Sequence, residues 1–333
     1  MSTPRSLEMP DHVRSASVQT TRGSFAILEA QPCRGVSYRR PALLVPGFTG
    51  SKEDFLAILE PLASAGRHVY AIDQRGQFQS PHAVARADYA APELAADVLA
   101  IAAAVAADAG GIHLVGHSMG GLIAREAVLM RKASFLSLTL LSSGPGAMAG
   151  QRAASLTELL AVLDPDNGEA TDDRAMLAGL VRRIWHDQLE PQARADGTND
   201  HVIAFLRERT LRTCPIHYIA IARYLLTCVD RTDELAEVAG AAGLPTMVVY
   251  GENDDAWPTE EQAQMAKRLD ADRACIPGAA HSPAVEAPVT TSSILTKFWN
   301  NAERRQPTVH SCGRQHHRPA SEPARSTGLA ATG

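Results

Sequence analysis

The segment of this chain best suited to chemistry is Gly116-His117-Ser118-Met119-Gly120. A serine hydroxyl is a weak nucleophile until a neighbouring base takes its proton. It must also project from a turn sharp enough to present Oγ, and small residues on either side let such a turn close. Gly116 and Gly120 supply that space. A helix starting just after Ser118 would aim free N–H groups and the positive end of its dipole at a developing negative charge. The implied chemistry is attack by Ser118 on an acyl carbon. The bare pattern also fits an inert serine in a glycine-rich strand-to-helix turn, so its weight depends on the elements around it.

Those elements read as alternating strands and helices. Two strands flank the turn at Thr21-Arg22-Gly23, and Ala42 to Val45 is a short buried run ending in Pro46-Gly47. Phe55, Ile58, Leu59 and Leu62 share one helical face, and residues 68–73 form another buried strand. Pro92 opens a helix that Gly110-Gly111 stops. Residues 112–118 read as a strand, the next fourteen as a helix and 135–143 as a strand. The alternation breaks after Gly144-Pro145-Gly146 and resumes at 246–254, followed by a helix over 259–269, a strand over 273–276 and a helix over 289–300. Alternation of this kind implies a mostly parallel, twisted sheet with helices on both faces. The expected organisation is a loose N-terminus at 1–14, a core from 15–147 and 240–302, a helical insertion at 148–239, and a basic, disordered tail at 303–333.

Composition narrows the function classes. The chain has 333 residues, with 45% hydrophobic and 21% charged, which is enough apolar material for a sizeable core. Its net charge is −5, and the tail carries five arginines against two glutamates, so the body is more acidic than the total. No dominant basic field exists to hold a nucleic acid. The cysteines, Cys33, Cys214, Cys228, Cys275 and Cys312, are odd in number and make no CxxC pair. Isolated thiols fit a reducing compartment, and the first residues lack the apolar core of a secretory signal, so a cytoplasmic location is expected. The longest apolar run, Val98 to Ala107, is too short to span a bilayer.

Five segments, in order, now identify a resemblance: VPGFTGSKEDF (45–55), DQRG (73–76), GHSMGG (116–121), GENDDAWP (251–258) and PGAAHSP (277–283). Together the chain resembles the α/β-hydrolase superfamily, in its capped, serine-nucleophile branch, over roughly residues 20–300. The resemblance implies an α/β-hydrolase fold with an inserted helical cap. It also implies a Ser-His-Asp triad appearing in the chain order Ser118, Asp254, His281. The family's Gly-x-x-Asp-x-x-x-Pro pattern selects Asp254 as the acid, with Asp255 the rival one register away. His281 follows Pro277-Gly278-Ala279-Ala280 on a late loop, where an imidazole can face the serine with one nitrogen and the acid with the other. His310, His316 and His317 lie in the tail and are poor candidates.

By the same resemblance, the oxyanion would be held by the backbone N–H groups of Met119 and Phe48. Relatives carry His-Gly where this chain has Pro46-Gly47, which removes a side-chain hydrogen bond that orders the loop. Arg75 would bridge nearby loops, and Gln77-Phe78 stand where the family often has His-Gly. His117 reads as a packing and hydrogen-bonding residue. In the insertion, Trp185, Phe205, Tyr218 and Tyr224 either line an apolar pocket or hold the cap together. The Glu260–Glu261 and Asp172–Asp173 pairs read as solvated helix ends. No phosphate loop, HExxH or EF-hand pattern occurs, so neither cofactor nor metal is expected.

The expected activity is hydrolysis of a carboxylic ester, lactone or related acyl bond of a small molecule, with neither nucleic acid nor membrane as partner. Carbon–carbon bond hydrolysis, acyl transfer on the same triad, and a ligand receptor that kept the fold are the alternatives.

Overall fold

Eight strands form one sheet in the order β1-β2-β4-β3-β5-β6-β7-β8. They are β1 (Val13–Thr20), β2 (Gly23–Ala30), β3 (Arg39–Val45), β4 (Arg67–Ile72), β5 (Ile112–His117), β6 (Phe135–Leu141), β7 (Thr246–Gly251) and β8 (Asp272–Ile276). The computed structural model describes residues 2–32, 39–107, 109–130, 135–165 and 173–305. The tail beyond 305, Cys33, Cys312, Asp172 and the three tail histidines lie outside them. Only β2 runs against the others, pairing antiparallel with β1 and β4; β4, β3, β5, β6, β7 and β8 pair parallel. A parallel sheet needs crossovers, and helices supply them.

The strands are buried on both faces, and their alternation is visible in the core. Leu43, Val45, Leu114, Leu138, Leu140 and Val248 point to one layer. Ala42, Leu44, Val115, Leu141 and Val249 point to the other. The first layer is closed by α2 (Ala91–Val105) and α3 (Met119–Met130) through Leu94, Val98, Ile101, Leu122 and Ile123. The second is closed by α1 (Leu56–Ser64) and α12 (Pro288–Arg305) through Leu59, Leu62, Leu295, Phe298 and Trp299. Each fully buried Leu or Phe of this kind contributes about 1.5–3 kcal/mol of transfer free energy.

Between β6 and β7 run α4 (Gly150–Leu163), α5 (Arg174–Ile184), α6 (Glu190–Ala195), α7 (Asp200–Arg212), α8 (Pro215–Thr227) and α9 (Thr232–Ala242). A π-helical turn, Trp185–Leu189, joins α5 to α6. These helices hold apolar clusters of their own, one around Leu177, Val181, Ile216 and Ile219 and another around Trp185, Val202 and Leu206. The last helix behaves differently from the expected insertion. Leu235 and Ala239 of α9 belong to the main core beside α3. A helical face that packs on another helix looks the same in sequence whichever layer receives it. After β7 come α10 (Thr259–Arg268) and, after β8, α11 (Pro283–Glu286).

Both ends of the described residues are tied down. Residues 2–12 carry no regular element, yet Pro4 is buried and the Ser2 carbonyl accepts from Arg209 Nη2 at 2.7 Å. Arg5 donates to the Glu286 carbonyl. Backbone carbonyls leave no sequence signal, which is why this stretch read as loose. At the other end α12 continues past Ala302 to Arg305, because Glu303 has partners. Its carboxylate accepts from Arg67 Nη1 at 2.6 Å and meets His113 Nε2 at 3.0 Å, while His113 Nδ1 meets Ser137 Oγ at 2.7 Å. His113 also stacks on Trp299. This Ser-His-Glu array, with Ser137 and His113 fully buried and Glu303 partly so, sits at the start of β5, the end of the strand opposite Ser118.

Candidate active site

Ser118 occupies the step from β5 to α3 with φ of 55° and is almost wholly buried. Such a left-handed conformation is uncommon for a residue with a side chain and costs on the order of 1 kcal/mol. The glycines make room for it. A Cβ on Gly116 would lie 2.5 Å from the Cα of Gly121, and one on Gly120 would lie 2.6 Å from the Pro46 carbonyl oxygen. The turn is fixed further by the Ser118 N–H, which donates to the Leu141 carbonyl at 2.9 Å.

An unbroken hydrogen-bond chain leads away from Ser118 Oγ. It lies 2.9 Å from His281 Nε2, and His281 Nδ1 lies 2.9 Å from Asp254 Oδ1. The Asp254 side chain is fully covered. Burial pushes its carboxyl toward the neutral form, but His281, the Ala256 N–H and the Gln262 amide together hold it below the usual carboxylate value. Such a carboxylate fixes which ring nitrogen carries the proton and leaves Nε2 free to accept from the serine. The neighbouring Asp255 points elsewhere: Arg152 of α4 grips it through Nη2–Oδ1 at 2.8 Å and Nε–Oδ2 at 3.1 Å.

His117 is fully buried beside the pair, its Nε2 2.7 Å from the His281 carbonyl oxygen. Burial, reinforced by the charge of His281, pushes it down to about 4, so it is neutral and donates to that carbonyl. Glu286 holds the same loop from the other side. Its carboxylate accepts the Ala280 N–H and, at 3.1 Å, the Ser282 N–H, on either side of His281. Neither ring nitrogen of His281 is left over, so Asp254, Asp255 and His281, although mutually close, do not form a free set of metal ligands.

The turn carrying Phe48 is ordered by residues that the sequence reading left without a role. Gln74 Nε2 donates to the Pro46 carbonyl at 2.9 Å, and Gln77 Nε2 donates to the Gly47 carbonyl at 2.7 Å. Gln77 Oε1 accepts the Gln74 N–H, closing the array. Two glutamine amides thus order the turn in which Pro46 offers no side-chain donor. Arg75 makes a bidentate pair with Asp97 of α2 and reaches the Arg22 carbonyl, tying the first hairpin to the core. Met119 is the first residue of α3, where N–H groups have no helical acceptor.

A cavity of about 970 Å³ opens above Ser118 and His281. The core contributes Gly47, Phe48, Thr49 and Ala280. The insertion contributes an aliphatic wall: Leu156, Leu159 and Leu163 of α4, Val181 and Ile184 of α5, and Leu189 of the π turn. Of the four aromatic residues considered for the wall, only Tyr218 faces the cavity. Trp185 is sealed in a cap cluster with its Nε1 on Glu190, Phe205 stacks edge-on against Phe78, and Tyr224 packs on the main core. Trp257 was not anticipated. Its ring stands over Gly144 and its Nε1 donates to the Gly146 carbonyl, bracing the acid's loop. Among the exposed pairs, Glu260 and Glu261 lie in the first turn of α10, and Asp173 caps α5 through the Ala175 and Met176 N–H groups. The cysteines within the described residues, Cys214, Cys228 and Cys275, are free thiols. No described helix is long and apolar enough to cross a membrane.

Fold and motif order agree with the family comparison: the chain belongs to the alpha/beta hydrolase family, whose model matches residues 42–292. A curated relative from Variovorax paradoxus (strain S110), named provisionally as the carbamate hydrolase RutD, is 40% identical over 101 residues. That match spans 30% of this chain and 37% of the relative, little more than a third of its length. A solved structure from Acinetobacter baumannii AYE, provisionally described as a lipase, superposes with a TM-score of 0.65 at 18% identity, covering 89% of this chain and 93% of the other. A thermophilic esterase from Thermogutta terrifontis gives 0.60 at 22% identity, covering 87% and 99%. At these identities the structural likeness is one of fold.

Proposed function

We propose that the protein hydrolyses a carboxylic ester, lactone or related acyl bond with Ser118 as nucleophile, His281 as general base and Asp254 as the orienting acid. The observation that carries this reading is the chain Ser118 Oγ–His281–Asp254, with both links at 2.9 Å, on the floor of an open cavity. Attack by Oγ on the acyl carbon passes its proton to His281 Nε2, and Asp254 stabilises the imidazolium. The carbonyl oxygen becomes an oxyanion, which the Phe48 and Met119 N–H groups receive; losing one such donor typically costs about 3–4 kcal/mol. His281 then protonates the departing alcohol, and water, activated by the same ring, releases the acid from Ser118. The aliphatic wall from α4 and α5 suits a hydrophobic group on the substrate.

A fluorophosphonate probe, mapped by peptide mass spectrometry, together with a panel of p-nitrophenyl esters and lactones, tests the reading. The expected results are a single adduct on Ser118 and turnover that Ser118→Ala abolishes. Turnover that survives Ser118→Ala, or a wild-type protein that neither labels nor hydrolyses any panel member, would sink it.

A further inference from the structure

One charged pair at the cavity has no part in the reaction above. Asp255 lies next to the acid of the triad, and oxygens of Asp254 and Asp255 and a ring nitrogen of His281 all fall within 4.8 Å of one another. Asp255 therefore places a second negative charge beside the imidazole without the register to hydrogen-bond it. An uncompensated carboxylate at this range stabilises imidazolium, and a protonated ring cannot accept the serine proton. The compensating charge comes from a different part of the fold. Arg152, on α4 of the insertion, clamps Asp255 through two hydrogen bonds, and both residues line the cavity.

We propose that Arg152 sets the pH range in which His281 works, by neutralising Asp255, and so couples the seating of α4 to the protonation of the base. The proposal rests on the Ser118–His281–Asp254 reading. The other ionisable groups around the ring leave this role to the pair. His117, from β5, is neutral and bonded to the His281 carbonyl. Glu286, from α11, spends both carboxylate oxygens on N–H groups. Asp254 takes its bonds from His281, Ala256 and Gln262, none of them on α4. From α4 itself, Glu158 also lines the cavity, and Asp54, from the core, is paired with Arg209 of α7. Arg152 holds Asp255 below the usual carboxylate value against the effect of burial, with His281 adding to the pull. Arg152 is a positioning residue: it acts through Asp255 on the ring.

The sign follows from charge. With Arg152→Gln, bare Asp255 favours imidazolium, so the acidic limb of the kcat/KM profile moves to higher pH. With the charges within 4.8 Å of one another, and Asp255 61% exposed and screened by solvent, the shift is roughly half to one pH unit. Asp255→Asn leaves Arg152 unbalanced and moves the limb the other way. The double variant Arg152→Gln/Asp255→Asn returns it to the wild-type position, and Arg152→Lys, which keeps the charge without the fork, moves it least.

The test is the pH profile of each full-length variant on neutral p-nitrophenyl butyrate, read beside the NMR titration of the His281 ring, assigned with His281→Gln. Opposite shifts in the singles and cancellation in the double support the proposal. A limb that stays in place in Arg152→Gln, or a double variant that adds the two losses, overturns it. A ring titration that moves as expected in a protein that turns over no ester keeps the charge control and removes the reaction. Turnover with an unmoved ring does the reverse.

Discussion

Glu286 offers the sharpest test of how the His281 loop is held. Its carboxylate takes the N–H groups of Ala280 and Ser282, so one side chain brackets the imidazole-bearing residue on the backbone. Replacing it with alanine deletes both bonds and leaves two N–H groups to find water. A hydrogen bond to a charged group is worth about 1.5–3 kcal/mol, and because Glu286 is only partly buried the low end applies, giving roughly 2–4 kcal/mol for the two. For a chain of this size that corresponds to a fall in Tm of about 3–6 °C. The functional effect is larger than the thermal one suggests. In the proposed reaction, proton transfer depends on the 2.9 Å contact between Ser118 Oγ and His281 Nε2. Displacing a reacting group by about 1 Å costs around 100-fold, so kcat should fall 10- to 100-fold with KM little changed. Glu286→Gln keeps one acceptor and turns an amide donor toward the other N–H, so it should fall between alanine and wild type. Steady-state kinetics with a p-nitrophenyl ester and calorimetry on the same samples decide the matter. A Glu286→Ala protein with wild-type kcat and a Tm within about 1 °C would refute the argument, since two charge-assisted bonds cannot vanish without either effect.

Three further outcomes follow from the same geometry. Gln77→Leu removes the donor to the Gly47 carbonyl and should lower kcat by about 10- to 100-fold through a loosened oxyanion turn; unchanged kcat would mean the Phe48 N–H is held by other contacts. Gly120→Ala drives a methyl against the Pro46 carbonyl, with backbone on both sides, and should destabilise by about 3 kcal/mol or more, seen as lost soluble yield and a lowered Tm. Glu303, held by His113 and Arg67 against its burial, is pushed down from 4.5 to about 2, so its contribution is full above pH 4.5 and is lost as pH falls through about 2. Denaturant titrations should therefore show Glu303→Gln less stable than wild type at pH 7, with the gap closing between those limits; a gap that widens on acidification would reverse the assignment.

How much of this was legible in the chain depended on whether the signal was local. The turn that carries Ser118 is readable because its demand is steric: Gly116 and Gly120 stand where any Cβ would strike backbone, so the spacing itself carries the shape. The strands were readable because burial on both faces leaves short unbroken apolar runs. Asp254 over Asp255 came from register within one motif, and the structure gives the two residues different partners. What escaped was whatever works across distance. Gln74 and Gln77 look like ordinary polar loop residues until the Pro46 and Gly47 carbonyls are brought beside them. Gln262 and Glu286 are indistinguishable from surface helix residues until their loops fold back. The choice between lining and packing for the large aromatic residues also needs the fold: Trp185 and Phe205 pack among the inserted helices and leave the cavity wall to leucine, valine and isoleucine.

The anchoring of α12 has a practical corollary in how the molecule can be handled. Arg305, where the described chain ends, lies two residues after Glu303, which grips His113 near the foot of β5, while Ser118 stands at its head. The strand between them spans about 20 Å of packed sheet. A bead or a dye linked at Arg305 itself would therefore hold the protein by its base, with the mouth of the cavity turned outward. Immobilised in that orientation, the enzyme should keep its turnover, whereas attachment near Ser2, which lines the cavity itself, should obstruct it.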